Sequence, residues 1–177
     1  MGDEGGNHLL AANRNPLQLI PCRIPALPFD YTDYAKQVRE YFNESVKLAK
    51  RRHLEGAIDE KAMNDALKNF DDEAARVEIE KQKLAGDDKV SSARLRRLND
   101  ALMSAERAFI DERGLLGRPW YRHQIYAPGI FTGYAAQPLT DFRQGLDDRN
   151  SVNTKNGLDR IVAALNRATQ ALKKGRE

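Results

Sequence analysis

The chain has 177 residues, a length at which a single domain is expected. Its 29 lysines and arginines nearly balance 26 aspartates and glutamates, so the net charge is only +3 and no strongly basic surface is indicated. The one cysteine, Cys22, excludes an internal disulfide framework and a zinc site built from cysteines. Because only three histidines accompany it, the composition argues against a self-sufficient metalloenzyme or thiol enzyme.

No part of the sequence is typical of a membrane span or a secretory signal. The apolar run from Leu17 to Phe29 contains Arg23 and three prolines, and it is too short to cross a bilayer. The first residues lack the basic start and apolar run of a signal peptide. We therefore expect no direct membrane contact, and the chain is either cytosolic or a piece of a longer protein whose targeting segment lies elsewhere.

Proline and glycine divide the first two thirds of the chain. Four of the seven prolines lie between residues 16 and 28, so residues 1–28 are predicted to be extended or irregular. Three helices follow, separated at Gly56 and Gly86 and stopped at Gly114, with Asp30 as the N-cap of the first and Asp59 before the second. Their apolar stripes are Tyr34, Val38, Phe42, Leu48; Met63, Leu67, Phe70, Ala74, Val77, Leu84; and Leu95, Leu98, Leu102, Ala105, Phe109.

A fourth apolar stripe near the C-terminus completes the predicted fold. It consists of Leu158, Ile161, Leu165, Ala168 and Leu172. Four such helices predict an all-α fold, an antiparallel four-helix bundle. Residues 113–153, between the third and fourth helices, are predicted to form a long irregular loop rich in aromatic residues and proline. This loop either folds back over the bundle or contacts another domain.

Sequence motifs for catalysis are absent from the chain. No zinc-peptidase, phosphate-loop or serine-nucleophile motif occurs. The basic run Arg94-Leu95-Arg96-Arg97 is interpreted as a solvated helix face rather than a nucleic-acid site, because acids dilute it. Asn43 begins a glycosylation sequon, Asn43-Glu44-Ser45, on the side of the first helix opposite its apolar stripe.

The position of Glu106 on the third helix suggests a structural role for its carboxylate. Glu106 lies at the edge of the third apolar stripe, where a partly buried carboxylate needs a partner. The loop that follows supplies Arg118, Arg122 and His123. We predict that Glu106 or Asp111 anchors this loop through a charge-assisted hydrogen bond. His123 by itself is interpreted as a structural residue rather than a metal ligand.

Three runs of sequence resemble a known domain. They are residues 98–111 (LNDALMSAERAFID), residues 114–128 (GLLGRPWYRHQIYAP) and residues 27–35 (LPFDYTDYA). They are similar to the transferrin receptor-like dimerisation domain, which closes the C-terminus of the glutamate carboxypeptidase II (prostate-specific membrane antigen) family. The resemblance covers about residues 27–175. It implies a dimerisation domain at 27–177, with residues 1–26 an irregular flank or the end of a preceding domain.

The resemblance implies a non-catalytic module. In the family, two zinc ions act in a separate protease domain that this chain lacks, so no cofactor and no metal ligand are expected here. The helices of the domain make most of the homodimer contact, and its loop helps wall the substrate pocket. A Lys-Tyr pair after the Ala-Pro step binds the substrate's terminal glutamate in the carboxypeptidases. Tyr134 matches the tyrosine as a substrate-binding residue, but Gly133 replaces the lysine, so a strict acidic specificity is not implied.

The expected partners are a second copy of the chain and the protease domain of its own parent chain, with neither nucleic acid nor membrane. Candidate contact surfaces are the loop aromatics and the alanines of the last helix, Ala163, Ala164 and Ala171. The family suggests a membrane-anchored ectodomain or a vacuolar or secretory protein. An alternative reading is a stand-alone helical adaptor or receptor-type interaction domain without a peptidase link. The sequence contains no Arg-Gly-Asp motif, the transferrin receptor's ligand motif, so transferrin binding is not supported.

Overall fold

The computed structural model describes residues 26–87, 89–130 and 135–176. Over these residues the chain forms five α-helices and one small antiparallel sheet, so the prediction of a mostly helical protein is confirmed. The elements are α1 (Tyr31–Arg52), α2 (Glu60–Ala85), α3 (Ser92–Arg107), β1 (Tyr126–Pro128), β2 (Ala136–Pro138), α4 (Thr140–Asp147) and α5 (Ser151–Lys174). Of the predicted N-terminal flank, residues 1–25 lie outside the described part of the chain.

The helix starts are set by polar side chains that accept from free backbone amides. Asp30 accepts from the amides of Thr32 and Asp33, which confirms the predicted cap, and Asp59 accepts from the amide of Ala62 and caps α2. Ser91 and Asn150 cap α3 and α5 in the same way. The sequence thus fixes four of the five helix starts locally.

The last helix lies at the centre of the fold. α5 packs against α2, α3 and α4, while α1 packs against α2 and α4. Where α1, α2 and the end of α3 meet, an aromatic cluster fills the core. Neighbouring rings have centroids 5.1–6.5 Å apart, mostly edge to face. The cluster contains Tyr31, Tyr34, Phe70, Phe109 and Tyr126.

Two glycines allow α4 and α5 to approach closely. A Cβ at Gly157 would lie 2.5 Å from the backbone nitrogen of Phe142, and one at Gly145 would lie 2.4 Å from that of Thr154. Both distances are far below a van der Waals contact, and in each case the obstacle is backbone that cannot rotate away. Glycine at both positions is therefore a condition of this helix crossing.

The structure corrects the predicted loop. α3 ends at Arg107, well before Gly114, and residues 113–153 contain β1, β2 and α4 rather than only irregular chain. The helix predicted as the fourth is α5. Each strand of the sheet is only three residues long. Helix α4 is two turns long and begins after Leu139, which has φ 52° and gives no side-chain cap. Neither element therefore leaves a pattern that can be recognised in the sequence. Ala164, predicted on the outer face of that helix, is fully buried in the core, whereas Ala163 is exposed.

Candidate functional site

Four of the residues predicted as a loop anchor, all except Glu106 at the end of α3, lie in residues 108–139, which we call the connecting segment and of which residues 108–130 and 135–139 are described. Its first part folds back on itself: the amide of Asp111 donates to the carbonyl of Arg122 and that of Gln124 to Phe109, each at 2.9 Å. Its last part is fixed by the amide of Leu139, which donates to the carbonyl of Ile125 at 2.7 Å. The segment is therefore held mainly by long-range backbone hydrogen bonds, which no short sequence pattern encodes.

His123 organises the turn that leads into β1. Its Nδ1 accepts from the amides of Ile125 at 3.2 Å and Tyr126 at 3.1 Å, so the ring proton lies on Nε2. Nε2 faces Oε1 of Glu106 at 3.7 Å, which is too long for a hydrogen bond, and the two groups form an ion pair only when the ring is protonated. The structure thus brings Glu106 and His123 together, in a weaker contact than the charge-assisted hydrogen bond predicted.

Glu106 also lies beside the aromatic cluster. The hydroxyl of Tyr31 donates to the carbonyl of Leu102 at 2.7 Å. Burial, assisted by the negative charge of Glu106, raises the pKa of the Tyr31 and Tyr34 phenols above their usual range. Both phenols therefore stay protonated at any physiological pH. Tyr31 acts as a hydrogen-bond donor, whereas the buried hydroxyl of Tyr34 has no hydrogen-bond partner among the described residues.

Asp111 is hydrogen-bonded to its near neighbour Arg113. Its carboxylate accepts from the backbone amide and Nε of Arg113, each at 3.0 Å, and from Nη2 at 2.6 Å. These hydrogen bonds, above all those from the side chain, lower the pKa of Asp111 to about 2. Arg122 pairs at 2.9 Å with Glu112 on the surface. Neither pair reaches Glu106.

Arg118 closes the segment across its own turn. Its Nη1 donates to the carbonyl of Pro128, and its guanidinium carbon lies 5.6 Å from the centre of the Tyr121 ring. Its Nε and Nη2 are buried and have no hydrogen-bond acceptor among the residues the structure describes. These two nitrogens carry three N–H groups that no acceptor among the described residues uses.

A stronger anchor, which sequence reasoning missed, joins the segment to α4 and α5. The buried carboxylate of Asp141 accepts from the amide of Leu116 at 3.0 Å and from Nη1 of Arg160 at 3.1 Å. The same nitrogen of Arg160 donates to the carbonyl of Gly114 at 2.8 Å. Burial raises the pKa of Asp141, against the opposing effect of the Leu116 amide and Arg160. An acid at the start of α4 and an arginine on α5 were the only signals available, and both are common on exposed helix faces.

Of the remaining predicted site residues, the structure describes some and not others. Tyr134 and Gly133 lie outside the described residues. Asn43 is exposed on α1, as predicted, but Ser45 of the sequon is buried, with its hydroxyl donating to the carbonyl of Tyr41 at 2.8 Å. In the basic run of α3, Arg94 pairs with Glu80 of α2, consistent with a solvated helix face.

The described residues contain neither a metal-binding group nor a helix that could span a membrane. Over residues 26–87, 89–130 and 135–176, no three histidine, cysteine, aspartate or glutamate side chains cluster closely enough to hold a metal ion. In the same ranges, no helix is both long and apolar enough to cross a bilayer.

Comparison with known proteins shows which domain family the chain belongs to. The sequence profile of the transferrin receptor-like dimerisation domain matches residues 58–173, about two thirds of the chain. The chain belongs to this family. The match begins just before α2 and includes Glu106 of α3 and the connecting segment with Asp111, Arg118, Arg122 and His123.

The chain is also similar to several proteins named as probable glutamate carboxypeptidases. It is 33% identical to AMP1 of Arabidopsis thaliana over 85% of this chain, and 30% identical to LAMP1 of the same plant over 83%. It is 30% identical to VP8 of Zea mays over 84%. The aligned regions are 22%, 20% and 22% of these relatives, so this dimerisation domain spans about a fifth of their length.

Proposed function

We propose that this dimerisation domain is the non-catalytic homodimerisation module of a zinc-dependent glutamate carboxypeptidase-like protein, and that its connecting segment helps wall the substrate pocket of the protease domain. The observation that carries the proposal is the family match over residues 58–173 in a chain that spans only about a fifth of its carboxypeptidase-named relatives. Self-association is what the family's name implies, and the partner is a second copy of the chain.

The module is proposed to extend over residues 27–177. Support for this start comes from the packing of the chain just before α1. The amide of Leu27 donates to Oδ1 of Asn99 on α3 at 2.9 Å, and the Phe29 ring stacks on Tyr31 at 5.7 Å. A truncation that removed these residues would expose core side chains of both helices.

Bond cleavage is assigned to the protease domain rather than to this chain. The buried acids of this chain are engaged in structural contacts, which is unfavourable for acid–base work: Glu73 is held by Arg76 at 3.0 Å and Arg176 at 2.5 Å, and Asp141 by Arg160. The cofactors, two zinc ions in the family, would bind in the protease domain.

Tyr134 remains the residue proposed to contact substrate, with its phenol donating to a substrate carboxylate. In the longer protein, we expect Tyr134→Phe to raise KM for substrates with a terminal acidic residue, with little change in kcat. Gly133→Lys is the matching gain-of-function variant, since it restores the family's cation, and it should lower the same KM. Unchanged KM in both variants would remove Tyr134 from the proposed site.

The central test is the oligomeric state. Sedimentation velocity of the purified 177-residue chain at 1–100 micromolar (roughly the range in which modest interfaces assemble) is expected to show a monomer–dimer equilibrium. A chain that stays monomeric throughout would favour the adaptor alternative. Zinc-dependent peptide hydrolysis by the purified chain alone would contradict the non-catalytic assignment.

A further inference from the structure

His123 lies where the connecting segment folds back onto the end of α3. Its backbone bridges to that of Ile110, and its ring has two aromatic neighbours, with centroids 6.0 Å from Phe109 and 6.2 Å from Tyr126. The side chain is 27% exposed, so protons from the solvent reach it although most of its surface is packed. Histidine is the side chain that ordinarily changes charge between about pH 5 and pH 8.

The lone pair of Nδ1 holds the turn that leads into β1. Nδ1 of His123 accepts from the backbone amides of Ile125 at 3.2 Å and Tyr126 at 3.1 Å. Ile125 is fully buried, and its carbonyl accepts from the amide of Leu139, just before α4, at 2.7 Å. One nitrogen atom therefore supports a turn that is tied both to β1 and to the start of α4.

A second proton on the ring removes that support. The neutral ring, with its proton on Nε2, offers one acceptor, whereas the imidazolium has an N–H at both nitrogens and accepts no hydrogen bond. No rotation of the charged ring can restore the lost acceptor. Both amides would then lack a partner, and a buried donor without an acceptor is costly. The turn as observed therefore requires the neutral ring.

The groups around the ring do not remove this conflict. Glu106 of α3 faces Nε2 at 3.7 Å, and its negative charge attracts the protonated ring. Tyr126 of β1 stacks on the ring and Tyr34 of α1 packs on Tyr126, and burial raises the pKa of both phenols, so neither changes charge in acid. Arg122, the preceding residue, pairs with Glu112 on the surface. The carboxylate thus favours a charged ring where two amides require a neutral one.

We propose that His123 makes the connecting segment sensitive to acid: the neutral ring holds residues 123–126 at the end of α3, and a second proton releases them while the helices stay packed. The released turn gives up the two amide hydrogen bonds and leaves the charged ring beside Glu106. The contribution of this contact to stability is complete where the ring is neutral and is lost as the pH falls toward 5. The contact lies within this chain, so its failure would leave the proposed function unchanged.

Amide hydrogen exchange of the 177-residue chain, followed by NMR, tests the release residue by residue. Protection factors, which correct for the intrinsic effect of pH on exchange, are compared at about pH 7.5 and about pH 5. They are expected to fall at least about tenfold at Ile125 and Tyr126 and to stay constant at Leu67, in the core of α2. Glu106→Gln should move this fall to lower pH, because the protonated ring then lacks its counter-charge.

His123→Asn separates the titration of the ring from its packing. The Oδ1 of asparagine can accept from the same two amides but takes up no proton, so protection at Ile125 and Tyr126 should not depend on pH in this variant. His53→Asn is the matched control, since His53 is an exposed histidine at the end of α1, and it should show the same fall as the parent chain. The circular dichroism and unfolding midpoint of each variant are compared first, so that a folding defect is not taken for a lost contact.

Three results would overturn the proposal. Protection at Ile125 and Tyr126 that stays constant with pH would show that the ring does not control the turn. An equal fall in His123→Asn would assign the change to another group, and an equal fall at Leu67 would show general unfolding. The nitrogen chemical shifts of the ring in the parent chain supply a reading that needs no variant: the neutral ring should carry its proton on Nε2, and a proton on Nδ1 would contradict the proposal.

Discussion

The helices and the connecting segment are stabilised by different kinds of interaction. The helices are held by a continuous apolar core: Phe42, Met63, Leu67 and Leu165 are all essentially inaccessible to water. The connecting segment buries some apolar side chains, such as Ile125, but exposes Leu116 and Trp120 and depends on polar contacts to carbonyl oxygens and to Asp141.

This difference predicts how each region responds to change. Apolar packing is shared among many neighbours, so the loss of one polar contact on a helix surface should cost little. The contacts of the connecting segment converge on a few groups, and removing one leaves a buried partner unsatisfied.

The largest expected effect comes from Gly157→Ala on α5. The new Cβ would meet the backbone of α4 at 2.5 Å, so the two helices must separate, and we expect a loss of about 3 kcal/mol or more in the free energy of unfolding. Gly56→Ala is the control, because a Cβ there has nothing within 4 Å. Urea unfolding measures both. A Gly157→Ala chain as stable as the control would show that the crossing is looser than described.

Next is Arg160→Met, which removes the cation that Asp141 and the Gly114 carbonyl share. A buried carboxylate without its partner should lower the free energy of unfolding by about 2–4 kcal/mol. Lys155→Met, on the exposed face of the same helix, breaks a surface pair with Asp159 and should cost under about 0.5 kcal/mol.

A readout specific to the segment separates this role from general packing. In Arg160→Met, amide hydrogen exchange should accelerate at Leu116 before it does so at core amides of α2. Combining Arg160→Met with Asp141→Asn should recover part of the lost stability, since the uncompensated charge is then gone. If the double variant were no more stable than Arg160→Met, the buried charge would not be the cause.

The sequence predicted the helices better than the segment, for a physical reason. Asp30, Asp59 and the apolar stripes act within one or two helical turns, so the start and face of α1 and α2 could be read directly. Asp141 and Arg160 acquire their role only when α4, α5 and the turn at Gly114 meet. Of the residues proposed as an anchor, Glu106 and His123 lie 3.7 Å apart, Asp111 pairs with Arg113, and Arg122 pairs with Glu112.

Gly145 and Gly157 illustrate the same limit. Both glycines were visible in the sequence, but glycine within a helical pattern ordinarily lowers the expectation of a helix rather than marking a helix contact. Their meaning depends on the backbone of the opposing helix, which only the structure provides.

A smaller effect is expected from acid. The pKa of Asp111 is lowered to about 2, so in the unfolded chain this group binds its proton at higher pH than in the folded chain. Its contribution to stability is therefore complete above about pH 4 and is lost as the pH falls toward 2. Unfolding midpoints at pH 5 and pH 2.5 should differ less in Asp111→Asn than in the parent chain. The pKa of Asp141 is raised, so protonation of Asp141 does not contribute to the loss of stability in acid. An equal pH dependence in the parent chain and in Asp111→Asn would assign that loss to other groups.

The smallest expected effect is a gain, at the end of α1. His53 follows Arg52 with a left-handed backbone at φ 59°, and its side chain is exposed. Glycine adopts this conformation without strain, at the cost of a more flexible unfolded chain, so His53→Gly should raise the free energy of unfolding by about 0.5 kcal/mol. His53→Val, which is β-branched, should lower it by a larger amount. Thermal unfolding at constant pH orders the three chains as Gly, His, Val. At a position with negative φ, glycine would not be the most stable of the three residues. The two variants His53→Gly and His53→Val therefore test the backbone conformation and not the loss of the imidazole.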